Sequence, residues 1–451
     1  MESKFFIKDS KDFIAKKVEL KGWVYNKRSS GSIAFLQLRD GTGFIQGVVV
    51  KNEVSPTTFE TARNLTLESS VIITGLIRED KRAPSGYEMS IVNIKTLQIP
   101  KEEYPLGKKD HGPDFLLNNR HLWLRSKRQW AIQRVRHAII YAIYSHLEEE
   151  GFIKIDAPIL TPSAAEGTTT LFPVPYLPAW SDEELDKEEI TLKSQNAVAY
   201  LSQSGQLYLE AAIAAHGKVF DFGPTFRAEK SKTRRHLSEF WMMDAEAAFV
   251  EHEENMATQE KLIKAILKAV LDKCPEELNI LERDTTILKN ILDKKFPIIN
   301  HQEAIKLAQK ENLSIGQRDD LGAEAETLIS NKFDTPVFIQ KYPKEIKAFY
   351  MKADPKDSSR VLNNDLLAPE GFGEIIGGSQ REDNLEKLTA WMKELNMNLK
   401  DYEWYLDLRR FGSIPHSGFG AGLERLVAWI CKLEHVRESI PFPRMLDRFT
   451  P

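Results

Sequence analysis

Five short segments of strong β-forming residues occupy the first hundred residues. Apolar and polar positions nearly alternate in VELKGWVYNKR, SIAFLQLRD, FIQGVVV, SVIITGLIRED and YEMSIVNIKTL, and Gly41 and Gly43 lie in a turn between the second and third segments. A period of two residues is typical of strands that bury one face. Five such strands predict a small β-barrel of the oligonucleotide-binding (OB) type over residues 1–100.

The pattern changes after these strands. The stretch IPKEEYPLGKKDHG contains Pro and Gly and predicts a hinge or linker over residues 101–125. Apolar residues then recur at helical spacing, which predicts an amphipathic helix over residues 126–148 that ends near Gly151. The apolar face of this helix consists of Ile132, Val135, Ile139, Ile143 and Leu147. A strand, FIKIDAPIL, follows and is stopped by Pro158 and Pro162.

Residues 126–451 predict an α+β domain. VFDFGPTFRAE and HLSEFWMMDAEAAF are typical of two strands that flank a charged loop, whereas WYLDLRRFGS predicts a strand, HSGFGAG a loop and LERLVAWICKL a helix. The strands come in antiparallel-looking pairs without regular βαβ alternation, which favours an antiparallel sheet with flanking helices. Two segments look like insertions: an acidic loop near residues 176–195 and polar amphipathic helices near residues 252–335.

Composition narrows the class of protein. A chain of 451 residues with 42% hydrophobic residues is long enough for about two or three domains. No segment approaches the ~20 apolar residues that a bilayer span needs, and MESKFFIKDSKDF has no signal-peptide core, so we expect a soluble, cytoplasmic protein. Two widely separated cysteines, Cys274 and Cys431, predict neither a disulfide framework nor a structural zinc site.

Basic charge is concentrated toward the N-terminal side. The net charge is −4, yet residues 1–110 carry 18 basic and 14 acidic side chains, and the stretch from Arg120 to Arg136 is basic without an acid. One basic face suits a polyanionic partner, whereas a solvated basic surface without a partner fits the same counts.

A dense cationic loop is the strongest sign of chemistry. It lies between the two predicted strands and contains Arg227, Lys230, Lys232, Arg234, Arg235 and His236. Guanidinium groups present planar donor forks to phosphate oxygens, so this loop suits a polyphosphate ligand. A solvated run of charge is the alternative.

Two further groups suit a nucleotide. The glycine-rich segment GFGAG opens an apolar helix, where the backbone can approach a ligand and Arg425 can reach back over it. Such a helix start is also common in plain packing, and it matches neither GxGxxG nor a P-loop. Asp365 and Glu374 offer hard oxygen ligands for a phosphate-bridging Mg²⁺, with exposed surface acids as the alternative.

Taken together, these segments resemble the three signature motifs of class II aminoacyl-tRNA synthetases, in the subgroup of the aspartyl, asparaginyl and lysyl enzymes. GFIKIDAPIL with Pro158 resembles motif 1, FRAEKSKTRRHLSEFWMMDAE resembles motif 2, and GFGAGLERLVAWICKLEHVRESIPFPR resembles motif 3. SQSGQLYLE, GEIIGGSQRED and IPFPR resemble the asparaginyl-tRNA synthetases in particular. The resemblance covers nearly the whole chain and is weakest in the two insertions.

The resemblance implies an anticodon-binding barrel and a catalytic domain that works as a homodimer through motif 1. It also implies a two-step reaction. ATP, with Mg²⁺, activates L-asparagine to an adenylate, and the asparaginyl group then passes to the 3′ end of tRNA(Asn).

The resemblance also implies roles for single residues. Arg227 spans the amino-acid carboxylate and the α-phosphate, while Glu229 orients the adenine. Phe240 and Arg425 enclose the adenine from its two faces, and His236 faces the outer phosphates. Asp365 and Glu374 carry Mg²⁺. The amino-acid-binding residues implied are Glu166, Ser204, Gln206, Glu210 and Arg381. The anticodon-binding residues implied are Arg28, Phe35, Gln46 and Glu88, with core packing as the alternative for Phe35.

The choice of amino acid depends on SQSGQLYLE. Leu209 stands where the aspartyl enzymes have a lysine, so one positive charge is missing. We expect Glu210 to accept from the amide NH₂ of asparagine and Arg381 to donate to its oxygen; alternatively, Glu210 begins a helix and faces solvent. Two alternatives remain for the function: an aspartyl-tRNA synthetase, including one that also charges tRNA(Asn), and a synthetase-like paralogue that makes asparagine or binds RNA without charging it.

Overall fold

The computed structural model describes residues 5–83, 85–107, 109–162, 171–174, 199–228 and 233–451. Glu166, Glu229 and the predicted acidic loop near residues 176–195 lie outside these ranges. The chain divides into two compact units, Met1–Gly112 and Pro113–Pro451.

The first unit contains the predicted five-stranded OB-type barrel. Its elements are β1 Lys17–Ser30, β2 Ile33–Arg39, β3 Phe44–Val50, α1 Pro56–Asn64, β4 Ser70–Glu79 and β5 Tyr87–Gln98. The barrel closes in the order β1-β2-β3-β5-β4, with β3 and β5 parallel and the other pairs antiparallel. Each strand sends alternate side chains inward, which is why Leu20, Leu36, Val49, Ile73 and Met89 are fully buried.

The second unit is built on a mostly antiparallel sheet. Its strands are β6 Ile153–Lys154, β7 Leu160–Thr161, β8 Pro173–Val174, β9 Ala199–Leu201, β10 Lys218–Phe226, β11 Glu239–Ala248, β12 Ile298–Asn300, β13 Val337–Gln340, β14 Ala353–Asp354, β15 Asp357–Val361, β16 Asn363–Ala368, β17 Gly373–Gln380 and β18 His416–Gly422. The main sheet has the order β12-β13-β16-β17-β18-β11-β10-β6, and only its two outermost pairs are parallel among the described residues. The α+β prediction is therefore confirmed.

Helices cover this sheet. They are α2 Pro113–Asn118, α3 Arg120–Trp123, α4 Lys127–Glu149, α5 Gln206–His216, α6 His252–Lys273, α7 Pro275–Ile280, α8 Thr285–Leu292, α9 His301–Lys310, α10 Ala323–Ser330, α11 Leu385–Glu394, α12 Glu403–Arg410 and α13 Leu423–Ile430. The apolar faces of α4, α6 and α13 meet the sheet in one core that includes Ile139, Ile266 and Trp429. In the part of the chain that the structure describes, no helix is long and apolar enough to cross a membrane.

Two local predictions were wrong. WYLDLRRFGS was predicted as a strand, but most of it forms helix α12, whereas the glycine-rich HSGFGAG was predicted as a loop and forms the central strand β18. The apolar pattern of WYLDLRR is so short that it fits both the two-residue period of a strand and the 3.6-residue period of a helix. FIKIDAPIL does not form one continuous strand: Ile153–Lys154 and Leu160–Thr161 are separate short strands, and Pro158 between them has no N–H to donate to a ladder.

Candidate active site

A cavity of about 510 Å³ lies over strands β11, β16, β17 and β18. Most of the predicted ATP- and amino-acid-binding residues line it: Ser204, Gln206, Arg227, His236, Phe240, Asp365, Glu374, Arg381 and Arg425. The structure thus brings together residues that are up to 221 positions apart in the sequence, from Ser204 to Arg425. Glu210 is not among the lining residues.

One end of the cavity is lined by cationic and aromatic side chains. The Arg227 guanidinium lies over the Phe240 ring, 5.4 Å from its centroid. Arg425 donates to the side chain of Glu374 at 2.8 Å and to the carbonyl of the same residue at 3.1 Å. His236 lies 2.5 Å from the Thr233 hydroxyl through Nδ1. This end presents fixed positive charge beside an aromatic face, which suits a nucleotide with its phosphates.

Asp365 on β16 and Glu374 on β17 both lie close to Gly377, which pairs with Asp365. A Cβ at Gly377 would be 3.1 Å from Glu374 Oε1 and 4.0 Å from Asp365 Oδ1, so the missing side chain leaves room between two carboxylates. Burial, with the nearby charge of Glu374, raises the pKa of Asp365 to about 6 against the opposing effect of Lys347, whose Nζ is 3.1 Å away. Burial opposes ionisation of Glu374 as well, but the Arg425 guanidinium holds the pKa of Glu374 below its usual range. Across the described residues, no group of three or more His, Cys, Asp and Glu side chains has the arrangement of a metal site.

The cavity also contains a buried carboxylate that sequence reasoning missed. Asp244 on β11 lines the cavity and accepts hydrogen bonds from the Ser204 hydroxyl and the Gly205 amide, both at 2.8 Å. Burial raises the pKa of Asp244 to about 6, although these two hydrogen bonds favour its ionised form. A carboxylate held in this way suits a cationic amino group.

A second missed carboxylate, Glu246, lies behind Arg381. Its Oε1 accepts from Arg381 Nε at 2.9 Å and also from Nη2, while Arg381 Nη1 donates to Ser379. Glu246 Oε2 is buried and has no hydrogen-bond partner among the described residues. Burial raises the pKa of Glu246 to about 7 in spite of the Arg381 charge. Arg381 lines the cavity, and Glu246, which does not, places an acceptor oxygen next to the Arg381 guanidinium.

Glu210 is buried below the cavity. Its carboxylate accepts from Gln206 Nε2 at 3.0 Å, from the Tyr405 hydroxyl at 2.8 and 2.9 Å, and from Arg409 Nη2 at 2.6 Å. His416 Nε2 lies 3.0 Å from the same carboxylate. Because these groups occupy its oxygens, Glu210 is not placed to accept directly from an asparagine amide, which differs from our prediction. The alternative, a Glu210 that faces solvent, does not hold either, since the side chain is buried.

The register of two strands explains how the carboxylates of Asp244 and Glu246 fit against strand β18. Asp244 pairs with Gly420 and Glu246 with Gly418 across β11 and β18. A Cβ at Gly418 would lie 2.1 Å from Glu246 Oε1, and one at Gly420 would lie 2.6 Å from Asp244 Oδ1. Only glycine leaves space for these carboxylates, so the glycine-rich sequence serves the strand pairing.

A second candidate site lies on the outer surface of the barrel. Arg28 pairs with Phe35 across β1 and β2, and its guanidinium is 4.5 Å from the Phe35 ring centroid. Arg28 Nη2 also lies 3.5 Å from Gln46 Oε1, and Gln46 pairs with Glu88 across β3 and β5. Phe35 is only partly buried and is not part of the barrel core. The four predicted anticodon-binding residues therefore form one stripe.

Comparison with known proteins agrees with this geometry. The family model described as "tRNA synthetases class II (D, K and N)" matches residues 112–446, and the model described as "OB-fold nucleic acid binding domain" matches residues 18–97. The chain belongs to the class II tRNA synthetases of the D, K and N group.

Individual relatives narrow the family. The chain is 50% identical to the asparagine–tRNA ligase of Thermus thermophilus, over 99% of each chain. It matches the crystal structure of asparaginyl-tRNA synthetase from Pyrococcus horikoshii complexed with asparaginyl-adenylate, with a TM-score of 0.91 and 44% identity over 100% of both chains. The Entamoeba histolytica asparaginyl-tRNA synthetase in complex with asparaginyl-adenylate matches with a TM-score of 0.83 and 29% identity over 97% of both chains. Within its class, the chain belongs to the asparagine–tRNA ligase family.

Proposed function

We propose that this protein joins L-asparagine to tRNA(Asn) in two steps. The α-carboxylate of asparagine attacks the α-phosphorus of ATP and releases pyrophosphate, and the terminal ribose hydroxyl of the tRNA then attacks the acyl carbon of the adenylate. The observation that carries this proposal is a single cavity lined both by the cationic and aromatic residues Arg227, Phe240 and Arg425 and by Asp244 and Arg381. Membership of the asparagine–tRNA ligase family supports it, whereas neither alternative function is favoured.

At the nucleotide end, catalysis rests on position and charge. Arg227 would bridge the asparagine carboxylate and the α-phosphate and stabilise the charge that builds up as the new bond forms. Phe240 and Arg425 would hold the adenine, and His236 would contact the outer phosphates. The role of Glu229 at the adenine stays a prediction from the resemblance.

The two carboxylates beside Gly377 fit a magnesium ion that arrives with ATP. Mg²⁺ is commonly held by one or two carboxylates plus substrate phosphates, and the space beside Gly377 brings two carboxylates close together. Asp365 and Glu374 would hold the ion, and when bound it would neutralise phosphate charge. Lys347 and Arg425 already offset part of the carboxylate charge.

At the amino-acid end, Asp244 would bind the α-ammonium group together with Gln206, and Ser204 would orient Asp244. Glu166 remains a predicted ligand of the same group. Arg381 would donate to the side-chain oxygen of asparagine, and Glu246 Oε2 would accept from its NH₂ group. An aspartate carboxylate has no N–H to offer Glu246 and would meet its negative charge, so the site should reject aspartate.

The barrel stripe would read the anticodon. Phe35 can stack on an unpaired base, while Arg28, Gln46 and Glu88 can donate to and accept from base edges. Because the substrates are tRNA and ATP, we place the enzyme in the cytoplasm.

We also propose that the protein is a homodimer through motif 1. Apolar side chains of the motif 1 segment are exposed, with Leu160 at 55% and Ile153 at 47%, and so is Tyr141 at 60% on the preceding helix α4. Exposed apolar side chains that together form a patch mark an interaction surface. Sedimentation of the unmodified protein as a monomer at micromolar concentration would contradict the dimer, and Tyr141→Lys should weaken it.

Charging of synthetic tRNA tests the function as a whole. The protein should join labelled asparagine to a transcript with the asparagine anticodon and not to one with the aspartate anticodon. A folded protein that adenylates asparagine but charges neither transcript would favour the paralogue.

A further inference from the structure

The amino-acid end of the cavity is assembled from two separate segments. Gln206 is the first residue of helix α5, whereas Arg381 follows the last residue of strand β17. Both line the cavity, so the distance between them must match the length of the bound amino acid. No hydrogen bond between their two side chains fixes this distance among the described residues.

Arg409 on helix α12 links the two segments directly. Its Nη2 donates to Glu210 Oε2 at 2.6 Å, and Glu210 lies one turn after Gln206 on α5. Its Nε donates to the carbonyl of Glu382 at 2.9 Å, and Glu382 is the residue after Arg381. One rigid guanidinium therefore joins the helix of Gln206 to the backbone beside Arg381.

His416, the first residue of strand β18, makes a second link of the same kind. Its Nε2 lies 3.0 Å from Glu210 Oε2. Its carbonyl accepts from the backbone N–H of Arg381 at 3.0 Å. The Glu210 carboxylate is thus the common anchor of both links.

Glu210 also fixes the orientation of the Gln206 amide. A carboxylate only accepts hydrogen bonds, so the Gln206 NH₂ group must point toward Glu210, at 3.0 Å. The carbonyl oxygen of Gln206 is then the group that can accept from an ammonium ion. The side chains of Arg409 and Glu210 are 1% and 0% exposed, so solvent cannot replace these bonds.

We propose that Arg409 and His416 are positioning residues that, through Glu210, set the distance between Gln206 and Arg381 and so match the cavity to asparagine. This inference rests on the proposed function. Neither residue lines the cavity, and neither does Glu210; the residues that they hold in place, Gln206 and Arg381, do line it. A shift of about 1 Å in a bound reactant can cost on the order of 10²-fold in rate, which is why such links matter.

The test compares Arg409→Lys with Arg409→Met in asparagine-dependent ATP–pyrophosphate exchange. Lysine keeps the charge near Glu210, but its single ammonium group cannot reproduce the two-ended guanidinium link. We expect both variants to raise KM for asparagine by about 10-fold or more, with KM for ATP within about twofold of normal. Arg410→Lys is the matched control, because Arg410 forms its ion pairs with Glu403 and Asp407 at the surface and its replacement should change neither KM.

A second pair of variants tests the contact between His416 and Glu210. His416→Gln can still donate to Glu210 and should stay within a few-fold of normal, whereas His416→Ala should raise KM for asparagine as the Arg409 variants do. Tyr405→Phe removes one hydrogen bond from Glu210 and gives a milder test if the Arg409 variants do not fold. Thermal unfolding of each variant is measured alongside.

The outcomes separate this inference from the proposed function. If the unmodified protein shows no asparagine-dependent exchange, the proposed function fails. If it does, but folded Arg409→Lys and His416→Ala keep a normal KM for asparagine, or raise KM for asparagine and ATP equally, the positioning role is overturned. A selective rise in KM for asparagine, with rescue by His416→Gln, supports it.

Discussion

At the scale of single residues, the charged side chains of the site divide into those that touch the cavity and those that support it. Sequence patterns led to Arg227 and Arg425, because arginines beside aromatic or glycine-rich segments indicate phosphate binding, whereas Arg381 followed from the family resemblance. They placed Glu210 in the cavity, whereas the structure buries it below. Burial of a carboxylate depends on partners as distant as Arg409 and His416, and no local pattern reports them.

Asp244 and Glu246 show what the sequence could not reveal. They are two residues apart in a strand and so face the same side, but acids at that spacing are common on exposed strands. Their role follows from the two glycines opposite them, at the same spacing on β18. Recognising that match requires the pairing of β11 with β18, which are about 170 residues apart in the chain.

The first prediction concerns Arg227. Arg227→Ala should abolish asparagine-dependent ATP–pyrophosphate exchange while leaving thermal unfolding nearly unchanged. Loss of one donor to a charged transition state typically costs on the order of 10²–10³ in rate. Arg234→Ala, in the same loop but not lining the cavity, serves as the control. Near-normal exchange by a folded Arg227→Ala protein would end the proposed mechanism.

The second prediction concerns amino-acid choice at Glu246. Glu246→Gln removes the negative charge that already pairs with Arg381, so Arg381 becomes available to a carboxylate. The ratio of kcat/KM for asparagine to that for aspartate should fall by about 10-fold or more. Glu210→Gln should lower the ratio less, since the Glu210 carboxylate bonds to Gln206 and Arg409, whereas Glu246 bonds to Arg381 directly. An unchanged ratio in Glu246→Gln would show that Glu246 does not read the side chain.

The third prediction is a pH dependence. Burial raises the pKa of Asp244 to about 6 and that of Glu246 to about 7, so both carboxylates become protonated as the pH falls through this range. Protonation removes the negative charges that hold the α-ammonium group and the amide NH₂ group. KM for asparagine should therefore rise steadily as the pH falls from about pH 7 to pH 5. A flat KM for asparagine down to pH 5 would contradict the roles of both carboxylates.

At the scale of elements, strand β18 connects sequence, packing and chemistry. HSGFGAG looks like a loop because glycine weakens an isolated strand. Here the strand is central in the sheet, with β17 and β11 pairing on its two sides, and its glycines make room for carboxylates from β11. In helix α12 the error was the opposite one: a short alternating pattern predicted a strand, but the segment is helical. Its Tyr405 and Arg409 are four residues apart and form a hydrogen bond across one helical turn.

The fourth prediction follows from this strand. In Gly418→Ala the new methyl group would lie 2.1 Å from Glu246 Oε1 and 2.4 Å from the Ala245 carbonyl, so Glu246 must move away from Arg381. We expect kcat/KM for asparagine to fall by about 10-fold or more, with a lower melting temperature. Gly107→Ala, where no heavy atom lies within 4 Å of the new Cβ, should leave both unchanged. Normal kinetics in Gly418→Ala would mean that the Glu246–Arg381 pair tolerates displacement.

At the scale of the whole molecule, the order of a barrel and an α+β unit could be predicted from hydrophobic periodicity. The alternating strands gave the barrel, and the helical spacing of the apolar residues from Ile132 to Leu147 gave helix α4, in which all five are buried. The arrangement of strands in the large sheet could not be predicted, because β16, β17 and β18 are joined by segments of very different length.

The fifth prediction assigns tRNA recognition to the first unit and adenylation to the second. Phe35→Ala should weaken charging of tRNA(Asn), since base stacking on an aromatic ring contributes roughly 1–3 kcal/mol. Pyrophosphate exchange without tRNA should stay normal, because the adenylation site lies wholly in the second unit. Val92→Ala, an exposed apolar residue of the same barrel, is the control. An equal loss of tRNA charging and of pyrophosphate exchange would show that Phe35 has a structural role instead.

The amino-acid dependence of ATP–pyrophosphate exchange in the unmodified protein tests the central claim most directly. The Arg381–Glu246 pair offers one donor and one acceptor to a neutral amide, so kcat/KM for asparagine should exceed that for aspartate by on the order of 10⁴. The measurement needs neither tRNA nor a variant, and it depends only on the cavity. Exchange with aspartate as fast as with asparagine would contradict the account and identify the protein as an aspartate-activating enzyme.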